Sequence, residues 1–170
     1  KNRNGRYIFM TNNSSKSVTA YIEKLNKLGI PATKDDFMTS VDATIEFLKE
    51  KYGSMAFKKL IYIMGTQSFM DQMKEAGFNI TTDESSDVEV ILCGFDRELT
   101  YKKLEDICKM LSDKTRNIDY FATNPDWVCP TDFGSVPDCG SMCQMLEIAT
   151  GMKPYFIGKP QPDMALLSMK

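Results

Sequence analysis

The sequence predicts an α/β fold in which a mainly parallel sheet is covered by helices. Two observations carry that prediction. Short apolar runs of strand length alternate along the chain with stretches whose apolar residues recur at helical spacing. Glycine punctuates many of the junctions, as it does where a helix stops and the chain turns back. Strict β-α alternation of this kind favours parallel strands, because each crossover lays a helix on the sheet.

The elements follow in order. Residues 7–11 read as a buried strand, and residues 17–28 as a helix with Val18, Tyr21, Ile22, Leu25 and Leu28 on one face, stopped by Gly29. TSVD at 39–42 fits a capping box, after which Val41, Ile45, Leu48 and Tyr52 repeat at helical spacing as far as Gly53. KLIYIMG (59–65) is an apolar strand, and residues 68–77 form a helix ending in glycine. VEVILCG (88–94) is a strand. Residues 100–112 are a helix with Leu104, Ile107, Cys108 and Leu111 inward. IDYFATNPD (118–126) is a strand running into a turn. Residues 140–151 form a helix opened by Gly-Ser and closed by glycine. Residues 155–158 make a further strand, and a last helix starts near Pro162. The twelve methionines read as core filling.

Composition excludes several classes of function. The 170 residues carry a net charge of −2 with a sequence pI of about 5.3, so no broad basic face exists for a nucleic-acid backbone. No run approaches the ~20 apolar residues of a membrane helix, and no signal-peptide pattern is present, so the expected address is cytoplasmic. Cys93, Cys108, Cys129, Cys139 and Cys143 form no CxxC pair and are expected as reduced thiols, with Cys139 and Cys143 one helical turn apart. Histidine is absent, which removes Ser-His-Asp and Cys-His catalysis and every histidine-ligated metal site. Acid–base chemistry must use Asp, Glu, Lys, Tyr or Cys.

Ligands of open α/β sheets sit outside the carboxyl ends of the strands. Three polar clusters fall there: Thr11-Asn12-Asn13-Ser14-Ser15, Thr123-Asn124-Pro125-Asp126 and Gly158-Lys159-Pro160. Each has a conformational reading, since Asn and Ser between strand and helix serve as turn and cap residues, and a lysine after a strand as a solvated charge. The chemical reading is a phosphate cradle. Hydroxyl and backbone N–H groups at a strand-to-helix turn donate to anionic oxygens, and a converging lysine supplies positive charge. The cradle is not a Walker A loop, whose GxxxxGK string is missing.

FMTNNSS, followed much later by YFIGKPQPDM, resembles the haloacid dehalogenase superfamily of phosphatases, and within it the NagD and 4-nitrophenylphosphatase branch. TSVDAT, FATNPD and ATGMKPYFIGKP match that branch in the same order, so the resemblance covers nearly the whole chain. It implies part of a Rossmann-like core in residues 1–38 and 152–170, with an inserted α/β cap of the C2 type in residues 39–151. It implies that Thr11, Asn12 and Asn13 bind phosphate and that Lys159 steadies charge on the phosphate and the nucleophilic carboxylate. Thr11 and Lys159 are thus the catalytic candidates, and Asn124 and Asp126 the cap residues expected to face the substrate. Cap hinges are expected near Phe37–Thr39 and residues 151–154.

The resemblance further implies Mg²⁺, a small phosphorylated metabolite as ligand, and homodimerisation through the cap. No nucleic-acid or membrane partner is expected. The branch's first motif, DxDGT, and its fourth, GDxxxxD, are not found in these residues, so the nucleophilic aspartate and the metal ligands are expected outside them. The start at Lys1 and the stop at Lys170 read as the ends of a segment, which is expected to be inactive by itself. Two rivals remain at this point: a non-catalytic phosphometabolite-binding module, and an interaction domain whose polar strand ends are only caps and turns.

Overall fold

A computed structural model describes residues 7–13 and 18–168. Ser14 and Ser15 of the first polar cluster lie outside the described residues. The elements come in the order β1 (Phe9–Thr11), α1 (Val18–Lys27), β2 (Phe37–Thr39), α2 (Ser40–Tyr52), β3 (Leu60–Met64), α3 (Gln67–Glu75), β4 (Ile80–Thr81), β5 (Val88–Cys93), α4 (Tyr101–Ser112), β6 (Asp119–Ala122), β7 (Val128–Thr131), β8 (Gly134–Pro137), α5 (Cys139–Thr150), β9 (Tyr155–Phe156) and α6 (Asp163–Leu167).

Five strands make one sheet in the order β4-β3-β5-β6-β9, every pairing parallel. This is a doubly wound arrangement, and its order reverses between β3 and β5. Side chains alternate across the sheet and sort into two cores. Ile61, Ile63 and Leu92 join Leu48 of α2, Phe69 and Met73 of α3 and Met164 of α6 on one face. Tyr62, Met64, Ile91 and Cys93 join Ile107 and Met110 of α4 and Cys143 and Leu146 of α5 on the other. Burial on both faces explains why β3 and β5 are apolar almost throughout. A bulge interrupts the rule. Leu60 pairs with Val88 and Ile61 with Val90, so Glu89 is an extra residue, and Val88 and Val90 face opposite cores.

Local signals decide several boundaries. Thr39 caps α2, accepting from Asp42 N at 3.2 Å while its own N–H donates to the Asp42 carboxylate at 2.9 Å, the reciprocal pair expected from TSVD. Gly29, at φ +74°, follows α1 in the left-handed region. Helix α5 opens a residue earlier than expected, because the Asp138 carboxylate accepts from Cys139 N at 2.6 Å. Along α4, Leu104 and Cys108 lie at the margin, and the fully inward face is instead Asp106, Ile107, Met110 and Leu111.

Three features depart from the sequence reading. Strand β1 is only half-buried and pairs in parallel with β2, a strand in what was expected to be hinge alone. Residues 128–137 form an antiparallel hairpin that sequence reasoning missed. The boundary expected between 151 and 152 also runs through the main sheet: β9, assigned to the returning core, is its edge strand on β6, and Ile157 and Met164 are buried beneath it. Parallel pairing across that junction binds the two segments into one layer.

Candidate active site

The parallel pairing of β6 and β9 carries two of the three polar clusters to one edge. Ile157 N donates to Ala122 O at 3.0 Å and Gly158 N to Thr123 O at 2.9 Å, so the sheet ladder continues into both loops. Gly158 is required sterically. A Cβ there would collide with the Thr123 carbonyl oxygen and stand 2.8 Å from Asn12 Oδ1.

Asn12 joins the third cluster to these two. Its Oδ1 accepts from Lys159 N at 2.9 Å and its Nδ2 donates to Lys159 O at 3.0 Å, so one carboxamide pairs with both polar groups of a single residue's backbone. The same Nδ2 lies 3.0 Å from Asp126 Oδ2. The Asn12 carbonyl accepts from Ser40 Oγ at 2.7 Å and from Asn124 Nδ2 at 2.9 Å. Asn12 is buried, and these bonds leave its polar atoms satisfied, each bond contributing about 1 kcal/mol net. The side chain, rather than only the backbone amide expected to face phosphate, therefore fixes the cluster.

Lys159 is exposed, and its Nζ donates to Met10 O at 3.2 Å, one residue before Thr11. Lys159 thus reaches the strand β1 that ends at Thr11. Thr11 Oγ1 accepts from Asn13 N at 3.2 Å, an arrangement that leaves its own O–H able to donate. Tyr21 stands beside Thr11, its phenol pushed up by burial while the Thr11 hydroxyl pulls the other way.

The expectation for Asn124 is corrected. Its side chain is wholly buried, with Nδ2 spent on Asn12 O and Oδ1 accepting from Asp126 N at 3.0 Å. It props the loop and presents nothing to a substrate. Asp126 is half-buried and held by Asn12. The two residues sit at the base of the cluster because Gly140 packs against the turn, where a Cβ would collide with Pro125 O. Asp138, beside this turn, has its carboxyl pushed above the usual range by burial, with the charge of Asp126 adding to the rise and the Cys139 N–H opposing it.

Of the residues that line an open cavity beside this cluster, the sequence reading had named only Asn13 for the site. A cavity of about 360 Å³ lies between Asn13, Arg97 on the β5–α4 loop, and the β7–β8 hairpin with Thr131, Asp132 and Phe133. Pro130 and Pro137 obscured the strands of that hairpin; Gly134, at φ +137°, was the available turn signal. Among the described residues no group of three or more Cys, Asp or Glu side chains could hold a metal ion. No disulfide joins the five cysteines, and Cys139 and Cys143 lie one turn apart with their sulfurs at 4.0 Å. No helix among the described residues is long and apolar enough to cross a membrane.

Against known proteins, the family described as haloacid dehalogenase-like hydrolase matches residues 1–79. An acid sugar phosphatase of Staphylococcus epidermidis is 31% identical over 156 residues, which make up 92% of this chain and 57% of that protein. The crystal structure of a 4-nitrophenylphosphatase from Thermotoga maritima superposes with a TM-score of 0.83 at 33% identity, covering 96% of this chain and 59% of that one. A glycerol phosphate phosphatase from Mycobacterium tuberculosis, in complex with magnesium, gives a TM-score of 0.84 at 27% identity over 96% of this chain and 48% of its own. The chain spans little more than half the length of the curated relatives it matches.

Proposed function

We propose, from the premise that this chain belongs to the haloacid dehalogenase-like hydrolases, that the whole protein hydrolyses a small phosphomonoester. The observation that supports the reading is that Lys159, its backbone clamped by Asn12, brings its ammonium to the Met10 carbonyl, one residue before Thr11. Sugar phosphates, nucleotides, phosphoglycolate and aryl phosphates are the candidate substrates, and relatives named as phosphatases support the class.

In this reading an aspartate outside residues 1–170 attacks phosphorus in line. The P–O bond to the leaving alcohol breaks as the aspartyl-phosphate forms, and water then cleaves it. Thr11 donates its O–H to a phosphoryl oxygen. Lys159 holds a positive charge where negative charge gathers on the transferring group, and because its backbone is clamped by Asn12 the charge is placed before the ester arrives. Asn13 borders the space for the leaving group.

The family resemblance points to Mg²⁺, and one relative is described in complex with it. The described residues do not fit such an ion, lacking a carboxylate cluster, and no step above depends on it. Its ligands belong, in this proposal, elsewhere in the protein. We also assign residues from 39 to 151, whose sheet β9 extends at one edge, to a substrate-covering cap that can pair with a second copy. The cysteines without disulfides support a cytoplasmic address.

The test is a screen of phosphomonoesters with the whole protein, with Mg²⁺ and with chelator. Release of phosphate that chelator abolishes supports the proposal. No release from any ester removes it.

A further inference from the structure

We propose that Asp126 is a positioning residue for Lys159, acting through the Asn12 carboxamide and touching no part of the substrate; the inference rests on the phosphatase reading above. The need for such a residue comes from the topology. Asn12 follows β1, which pairs with β2 in a two-stranded sheet, whereas Lys159 follows β9 at the edge of the five-stranded sheet. Among the described residues no strand ladder joins the two sheets. Side chains have to set where the lysine stands against the end of β1.

Asn12 does this with one carboxamide. Its Oδ1 and one Nδ2 hydrogen are spent on Lys159, at 2.9 Å from the backbone nitrogen and 3.0 Å from the carbonyl oxygen. The other Nδ2 hydrogen goes to Asp126 Oδ2 at 3.0 Å, so a carboxylate holds the far side of the same amide. These three bonds permit one orientation. Turning the amide over would bring Oδ1 against the Lys159 carbonyl and the Asp126 carboxylate, and Nδ2 against the Lys159 N–H.

Asp126 is itself anchored, and to the main sheet rather than to β1. Its N–H donates to Asn124 Oδ1 at 3.0 Å, and its carbonyl accepts from Gly140 N in the first turn of α5 at 2.8 Å. Asn124, wholly buried just past β6, donates to Asn12 O at 2.9 Å. The turn thus grips Asn12 twice, by its backbone through Asn124 and by its side chain through Asp126. Asp126 is half-buried and does not line the cavity beside Asn13. It forms no ion pair with Lys159, so its carboxylate reaches the lysine through Asn12.

The experiment measures kcat and KM of the whole protein for a hexose 6-phosphate and for 4-nitrophenyl phosphate. Asp126→Ala should lower kcat about tenfold for both esters alike, the size expected for losing one charge-assisted hydrogen bond. Asp126→Asn keeps an oxygen that accepts from Asn12, and should recover kcat to within about threefold of the unaltered protein. In a Lys159→Met background, Asp126→Ala should change kcat less than about twofold, because the group it places is gone. A loss that differs between the two esters overturns the inference, since it puts the carboxylate on the leaving group. Equal losses in the Ala and Asn variants overturn it, as does a full loss in the Lys159→Met background or an unchanged kcat in Asp126→Ala. Each of these results leaves the phosphatase reading standing. No hydrolysis of either ester by the unaltered protein overturns both.

Discussion

Two polar clusters occupy the same edge of the sheet, at the ends of different strands. At the ends of β3 and β5, where the strand order reverses and a ligand crevice is expected, Lys103 reaches in to Asp96 Oδ2, Gly65 O and Glu98 O. The Glu98 carboxylate also accepts from Gln67 N at 3.2 Å, the place at a helix start where an anionic ligand would bind. That crevice is filled by the protein's own charges. At the ends of β6 and β9, and at the end of β1 joined to them through Asn12, the struts are mainly neutral amides and peptide groups, and the cation, Lys159, is left exposed. The difference shows that topology offers a sheet edge several places for a ligand, and side chains decide which one stays open.

The strongest way to break this comparison is to unfill the first cluster. Lys103→Met leaves the Asp96 carboxylate, which is wholly buried, without its cation, and should cost about 3–5 kcal/mol of stability. Denaturant unfolding measures it, and an unchanged midpoint would show that the pair is not structural. In the second cluster the equivalent change should spare the fold and stop the chemistry. Lys159→Met in the whole protein should lower turnover by ~10²–10³ with unfolding unaltered. Near-normal turnover would remove Lys159 from the reaction.

A smaller effect tests the packing between loops. Gly158→Ala forces Thr123 and Asn12 apart and should destabilise by about 1–3 kcal/mol, with activity falling alongside. Full stability in that variant would contradict the contact.

The smallest expected effect is one of pH. Burial raises the Asp138 pKa, so the folded protein holds that proton more tightly than the unfolded chain. The group then adds stability below its unfolded pKa and withdraws it as pH rises through the folded value. Asp138→Asn keeps a capping side chain and should flatten stability from about pH 4 upward. Parallel pH dependences in the two proteins would argue against it.

The residues themselves show which features could be read in advance. The Thr39–Asp42 box was legible because its partners are three positions apart and need no other part of the chain. The strands β3 and β5 were legible from apolar length. The hairpin was not, because Pro130 and Pro137 break the alternation and both strands are largely exposed. Lys159 reaches the carbonyl of Met10, the residue before Thr11, while Asn124 was given a ligand-facing role that its burial excludes. Its three-dimensional neighbour, Asn12, is 112 positions away in sequence.

By itself the sequence determined the parallel α/β fold, the helix caps and the polar strand ends, since periodicity and capping act over a few residues. Tertiary structure alone decided that β9 joins β6, that Lys103 fills one crevice while another stays open, and that Arg97 borders the open one. Those outcomes depend on which distant backbones come within hydrogen-bonding reach, and no local pattern encodes that distance.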